Sequence, residues 1–151
     1  MLKKIKTILY QFVSDQIESK INLAYQVFDE ANESVVSETK SSAGDKHETS
    51  RAMSQLEVEK AGKYLVETQK MKSILGLLEP EKEKTVCSLG ALVETTQGNF
   101  YLSIAIGKTE IENKAYFCVG MNSPLAQALI NLKKGESYVI AGKKFDILSV
   151  Q

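Results

Sequence analysis

Asp45 and Glu48 stand three residues apart in the stretch Ala43-Gly44-Asp45-Lys46-His47-Glu48-Thr49, and carboxylates at that spacing have two possible uses. At a helix start, Asp45 accepts a hydrogen bond from a free backbone N–H while Glu48 completes a capping box, and both charges suit the positive end of the helix dipole. Set at the end of a hairpin, the same pair is also the chain's best candidate for catalysis. Capping needs only these residues in this order, so spacing alone favours it. His47, the single histidine, lies between them. It reads as a solvated turn residue unless a partner fixes its tautomer for proton transfer. No Walker loop, zinc-ligand spacing, Ser/His/Asp set or dinucleotide fingerprint is present, so an enzyme with an active site of its own is poorly supported. Cys87 and Cys118 are isolated in strand-like apolar surroundings and read as buried thiols in a reducing compartment rather than a disulfide.

With 151 residues, 43% of them hydrophobic and 25% charged, the chain has the composition of a soluble globular protein of one ordinary domain or two small ones. Formal net charge is zero and acids and bases are nearly balanced on both sides of Glu79. Phosphate-backbone affinity is therefore not the expected source of binding energy. The segment from Met1 to Val13 begins basic and then turns apolar, but it is too short and too polar for a signal peptide or a membrane span. A cytoplasmic location is expected.

Two long helices must position the carboxylates. From about Ile5 to Ser42, the residues Tyr10, Ser14, Ile17, Ile21, Ala24, Phe28, Ala31 and Val35 recur at steps of four and three, the seam of a coiled coil. Leu23, Tyr25, Val27 and Val36 lie off that seam, which suggests a second covered side or a partner contact. Gly44 suits a left-handed helix-ending conformation. The second helix is expected from Asp45 to about Leu78, with Leu56, Ala61, Tyr64, Leu65, Thr68, Met71, Ile74, Leu75 and Leu78 available to face the first. Gly62 allows a close helix approach or marks a weak point. Two helices of about 30 residues make a hairpin on the order of 45 Å long.

Glu79-Pro-Glu-Lys-Glu-Lys84 reads as a solvated linker, and beyond it the period becomes strand-like. Strands are expected over Val86–Glu94, Phe100–Ile106, Lys114–Val119, Tyr138–Ala141 and Lys144–Val150. Ser123 and Pro124 open a short helix as N-cap and first helical residue. Tyr101, Tyr116, Phe117 and Tyr138 read as sheet core. The fold class is α+β: residues 1–79 form an antiparallel coiled-coil hairpin with its tip at 43–49, and residues 80–151 a small antiparallel-sheet domain with a short helix.

The segment Met121-Asn-Ser-Pro-Leu-Ala-Gln-Ala-Leu-Ile130, followed by Lys134-Gly135-Glu136 and the closing strand Lys144–Val150, resembles the C-terminal domain of the bacterial Gre transcript-cleavage factors. Gly90-Ala91-Leu92-Val93 is similar to that family's Gly-Ala-x-Val lead-in, and Gly44-Asp45-Lys46-His47-Glu48-Thr49 to its Gly-Asp-x-x-Glu-Asn tip. Thr49 stands where the family usually has Asn. The resemblance spans nearly the whole chain in order and spacing. It implies an FKBP-like C-terminal domain and a hairpin that enters the secondary channel of RNA polymerase. There Asp45 and Glu48 would be catalytic residues lent to the polymerase, helping to hold a shared Mg²⁺ and orient the attacking water, so that backtracked RNA is cut. One or two carboxylates suit a hard cation that keeps several waters. The same resemblance makes Asn122, Ser123, Pro124 and Leu125 the expected partner-binding residues, with RNA polymerase as partner and the nascent RNA 3′ end touched indirectly. Lys40, Lys46 and Arg51 could meet the RNA backbone or simply balance charge. A channel-binding inhibitor and a coiled-coil adaptor without cleavage activity are the alternatives.

Overall fold

The computed structural model describes the backbone of residues 2–40 and 44–151, and the side chains of residues 5–37 and 49–151. Helix α1 spans Leu2–Lys40 and helix α2 spans Gly44–Leu75. A six-stranded sheet with one short helix follows. The chain divides into two compact units, residues 17–72 and residues 1–16 with 73–151.

Within residues 17–72 the helices pack antiparallel. Ser34 Oγ lies 3.2 Å from Ser54 Oγ, and Gln69 Nε2 donates to Tyr25 Oη at 3.1 Å, so positions fall along α1 as they rise along α2. From Ile17 onward the α1 seam is as its spacing predicts, with Ile17, Ile21, Ala24 and Ala31 buried and Phe28 and Val35 half-buried. Tyr10 and Ser14, also expected on it, are only half-buried, and Leu9 and Val13 are the fully buried positions of the first turns. The α2 seam corrects the sequence reading. Leu56 and Tyr64, expected to face α1, are exposed. The covered positions are Ser54, Val58, Ala61, Leu65 and Thr68, a regular four-three repeat that polar residues disguise. Their hydroxyls are partnered, Ser54 by Ser34 and Thr68 by the Tyr64 carbonyl at 2.7 Å, which makes them tolerable in the seam. The helix also ends at Leu75, short of the expected Leu78.

The sheet unit contains β1 (Leu92–Thr95), β2 (Asn99–Ser103), β3 (Gly107–Ile111), β4 (Lys114–Gly120), α3 (Pro124–Leu129), β5 (Ser137–Ile140) and β6 (Lys143–Val150). The spatial order is β3-β4-β2-β1-β6-β5. The sequence reading omits β3, a polar edge strand. It joins β4 through Glu112 and Asn113 at φ 52° and 66°, a mirror-image hairpin turn in which glutamate is an unusual occupant. Because β3 occupies the outer side of β4, β4 runs parallel to β2, and the sheet is mixed instead of wholly antiparallel. The expected strand over Val86–Glu94 is also divided. Val86 bridges to Lys133, the chain turns with Ala91 N donating to the Ser88 carbonyl, Gly90 takes φ 89°, and β1 begins only at Leu92.

Successive residues of the central strands point to opposite faces, and both faces are buried. On one, Val93, Phe100, Leu102, Tyr138 and Ile147 pack with Cys87, Ala91, Ala126 and Leu129, so α3 covers this side. On the other lie Leu92, Tyr101, Tyr116 and Cys118, all buried. Lys6, Leu9 and Val13, spaced along one side of α1, are buried in the same unit; burial raises the Tyr101 phenol above its ordinary range, with Cys118 and then Tyr10 of α1 adding to the rise. Lys6 Nζ donates to the Lys82 carbonyl at 2.7 Å and to the Gln151 carbonyl at 3.1 Å. The supposedly solvated linker thus supplies a partner for a buried cation. Burial, with repulsion from Lys84, brings the Lys6 amine down to about 8 from 10.5.

Two predictions follow from these contacts. A Cβ at Gly62 would meet the Phe28 ring at 3.5 Å, an ordinary contact, so Gly62→Ala should raise stability by about 0.5–1 kcal/mol in urea unfolding. A loss instead would mean that Phe28 cannot accommodate the methyl. For Lys6, the folded chain releases its proton near pH 8 while the unfolded chain holds it to about 10.5, so this residue adds stability as pH rises through that window. The buried thiols act oppositely, from about pH 9 upward. Between pH 7 and about pH 9 the wild-type urea midpoint should therefore rise relative to that of Lys6→Met, and parallel curves would contradict this.

Candidate functional site

The tip carboxylates fall in the opening turns of α2. The helix begins at Gly44, one residue ahead of the expected start, so Asp45 and Glu48 are its second and fifth residues. Their backbone positions keep them beside the unpaired N–H groups and the positive dipole end of the helix. The side chains of Asp45, His47 and Glu48, like those of Lys40 and Lys46, lie outside the described residues. Arg51 is exposed.

The second expected site, Asn122 to Leu125, divides by role. Ser123 is the N-cap of α3: its Oγ accepts from Ala126 N at 3.1 Å and donates to the Gly120 carbonyl at 2.8 Å, so the hydroxyl is engaged within the domain. Pro124 stands at the first helical position, where its missing N–H costs nothing. Leu125 is half-buried and packs against the α3-side core. Asn122 and Pro124 alone of the four are exposed.

Of the aromatic residues read as core, Tyr101, Tyr116 and Tyr138 are buried. Phe117 is exposed and packs against Phe100 with ring centroids 5.9 Å apart. Tyr138 Oη lies 2.9 Å from Thr95 Oγ1 and 2.7 Å from Gln97 Oε1, tying β5 to the turn after β1. Thr95 Oγ1 in turn accepts from Gln97 N and Gly98 N. Cys87 and Cys118 are free and buried, and burial pushes their thiols up to about 11 and about 12, far from a reactive nucleophile's range.

The hairpin unit carries an apolar hollow of about 410 Å³ lined by Val27, Ala31, Ala61 and Tyr64 together with Glu30, Glu57 and Lys60. Leu23, Tyr25, Val27 and Val36, noted off the seam, are exposed. Sequence spacing did mark these residues, whereas it missed Lys6, whose only signal is its place one helical step before Leu9 and Val13. Among the described residues no group of three or more His, Cys, Asp or Glu side chains is placed to hold a metal ion, and no helix is long and apolar enough to cross a membrane.

Removing the N-cap hydroxyl leaves the Ala126 N–H unpaired, so Ser123→Ala should destabilise the sheet unit by about 1 kcal/mol, and Ser123→Asp should recover most of it. Equal midpoints for Ser123→Ala and wild type in chemical denaturation would contradict the capping role. Compared with known proteins, the sequence matches no family model and no curated protein.

Proposed function

We propose that this chain is a transcription elongation factor of the Gre type. It binds RNA polymerase, carries its hairpin tip into the secondary channel, and lends Asp45 and Glu48 to the active centre that cuts backtracked RNA. The observation that carries the reading is the place of this pair in the chain: α1 and α2 pack antiparallel, and both acids fall in the opening turns of α2, which begins at Gly44. Support comes also from the second half, read here as FKBP-like, where Ser123 and Pro124 cap a short helix as the resemblance implies.

The residues divide the work. In the unit of residues 17–72, α1 from Ile17 to Lys40 is about 36 Å long and its partner in α2 somewhat longer, so the tip residues stand far along the chain from the sheet unit. The seam, with Ser54 and Thr68 satisfied, holds the two helices together. Asp45 and Glu48 stand three residues apart in α2, about one helical turn. Two carboxylates are too few to hold Mg²⁺ alone but suit an ion whose remaining ligands come from another protein, water and phosphate. When bound, such an ion supplies Lewis-acid activation of water and of the scissile phosphate. Asp45 would serve as ligand or ligand-orienter, and Glu48 would act through water or position the nucleophile. Asn122 and Pro124, exposed beside the α3 cap, are the partner-facing residues of the second half.

A binding module without cleavage activity is the second reading, and the exposed apolar residues around the hollow at Val27 and Tyr64 favour it. Transcript release from a stalled elongation complex separates the two. The wild-type protein should stimulate cleavage, and Asp45→Ala with Glu48→Ala should reduce the rate by more than about tenfold while polymerase binding persists. Undiminished cleavage with the double variant would sink the proposal. Slowed elongation without cleavage would assign the protein to channel inhibition.

A further inference from the structure

The two faces of the sheet are covered on different terms. On the α3 side the buried residues are almost wholly apolar, and the Tyr138 hydroxyl has Thr95 and Gln97 within hydrogen-bonding reach. On the other side apolar surface is buried together with polar atoms that lack partners. Tyr101 and Tyr116 are fully buried, yet their hydroxyls have no hydrogen-bond partner among the described residues, and the same holds for Ser149 Oγ. These groups are close in register. Cys118 lies opposite Tyr101, and Tyr116, Asn99, Glu94 and Ser149 form one row across β4, β2, β1 and β6. The segment of α1 in this unit contributes Leu9 and Val13, whose burial favours docking, and Lys6, whose buried ammonium opposes it. Unpaired buried hydroxyls add to the opposing side. The carbonyls of Lys82 and Gln151 fasten the segment at two points.

We propose that residues 2–16 of α1 are a displaceable cover, which lifts from the Tyr101–Tyr116–Cys118 face in a local opening while the α3-side core stays packed. The balance of terms is specific to this side. Apolar burial from a few residues is set against a buried cation and orphaned hydroxyls, whereas the α3 side carries no such opposition. Opening returns the Lys6 ammonium and both tyrosine hydroxyls to water, so what it loses in apolar contact is partly offset. Nothing in this device depends on the polymerase reading.

The two cysteines make the test internal to one molecule. Cys87 belongs to the α3-side core, and Cys118 lies on the α1 side, opposite Tyr101. Global unfolding exposes both thiols together, but lifting of the cover exposes Cys118 alone. The full-length protein is treated with an aromatic disulfide reagent under native conditions, and modification at each cysteine is followed by peptide mass spectrometry. Cys118 should react at least about tenfold faster than Cys87, reflecting an opening less costly than global unfolding. Leu9→Ala should accelerate Cys118 more than Cys87, and Lys6→Met, which removes the buried charge, should slow it. Equal rates at the two thiols, faster reaction of Cys87, or parallel acceleration of both by Leu9→Ala would overturn the proposal.

Discussion

A sheet buried on both faces needs two covers, and this requirement organises the sheet unit. Leu92 and Val93 are adjacent in β1, point to opposite faces, and are both fully buried. The chain after α2 supplies only one cover, the short helix α3, which packs over Val93, Phe100 and Leu102. The other comes from the far end of the sequence: residues 1–16 belong to the same compact unit as residues 73–151. Lys6 records that association, bonding at once to the linker at Lys82 and to the chain's last residue, Gln151. The first helix therefore contributes to both units, Lys6, Leu9 and Val13 being buried in one and Ile17, Ile21 and Ala24 in the other.

The functional reading draws on the same economy of elements. A pair of carboxylates in the first turns of a helix is ordinary capping chemistry wherever the helix occurs. What distinguishes Asp45 and Glu48 is their position at the start of the second of two packed helices, followed by a unit whose α3 opens on Ser123 and Pro124. Capping and lending are compatible. A carboxylate that accepts a backbone hydrogen bond in the free protein has oxygen lone pairs that a cation can take when the tip is docked.

How much was legible in the sequence follows from where side-chain chemistry and position agree. The α1 seam was readable from Ile17 onward because apolar residues keep its period, but not before it, where Leu9 and Val13 are buried in place of the expected Tyr10 and Ser14. The α2 seam was readable only in part: Ala61, Leu65 and Thr68 lie on it as expected, but Ser54 also holds a seam position while the apolar Leu56 and Tyr64 lie outside it. The N-cap at Ser123 was readable from local order alone. Strand β3 was missed because an edge strand with one partner needs no apolar run, and its turn uses Glu112 where glycine or asparagine is usual. The parallel pairing of β2 with β4 depends on that strand and was lost with it. Least visible was the covering role of residues 2–16, since a lysine in a basic beginning gives no hint that its amine is buried. At the tip, the residue types were legible, but a capping box and a borrowed catalytic pair share one pattern.

The central claim is that the hairpin tip works inside another protein's active centre. The most direct measurement places a photo-crosslinking amino acid at His47, between the two carboxylates, and irradiates the protein bound to a stalled, backtracked elongation complex. The account predicts crosslinks to the extruded RNA 3′ end and to the polymerase segments that surround its catalytic metal. Crosslinks confined to the outer surface of the polymerase, or none above those of the unbound protein, would contradict it.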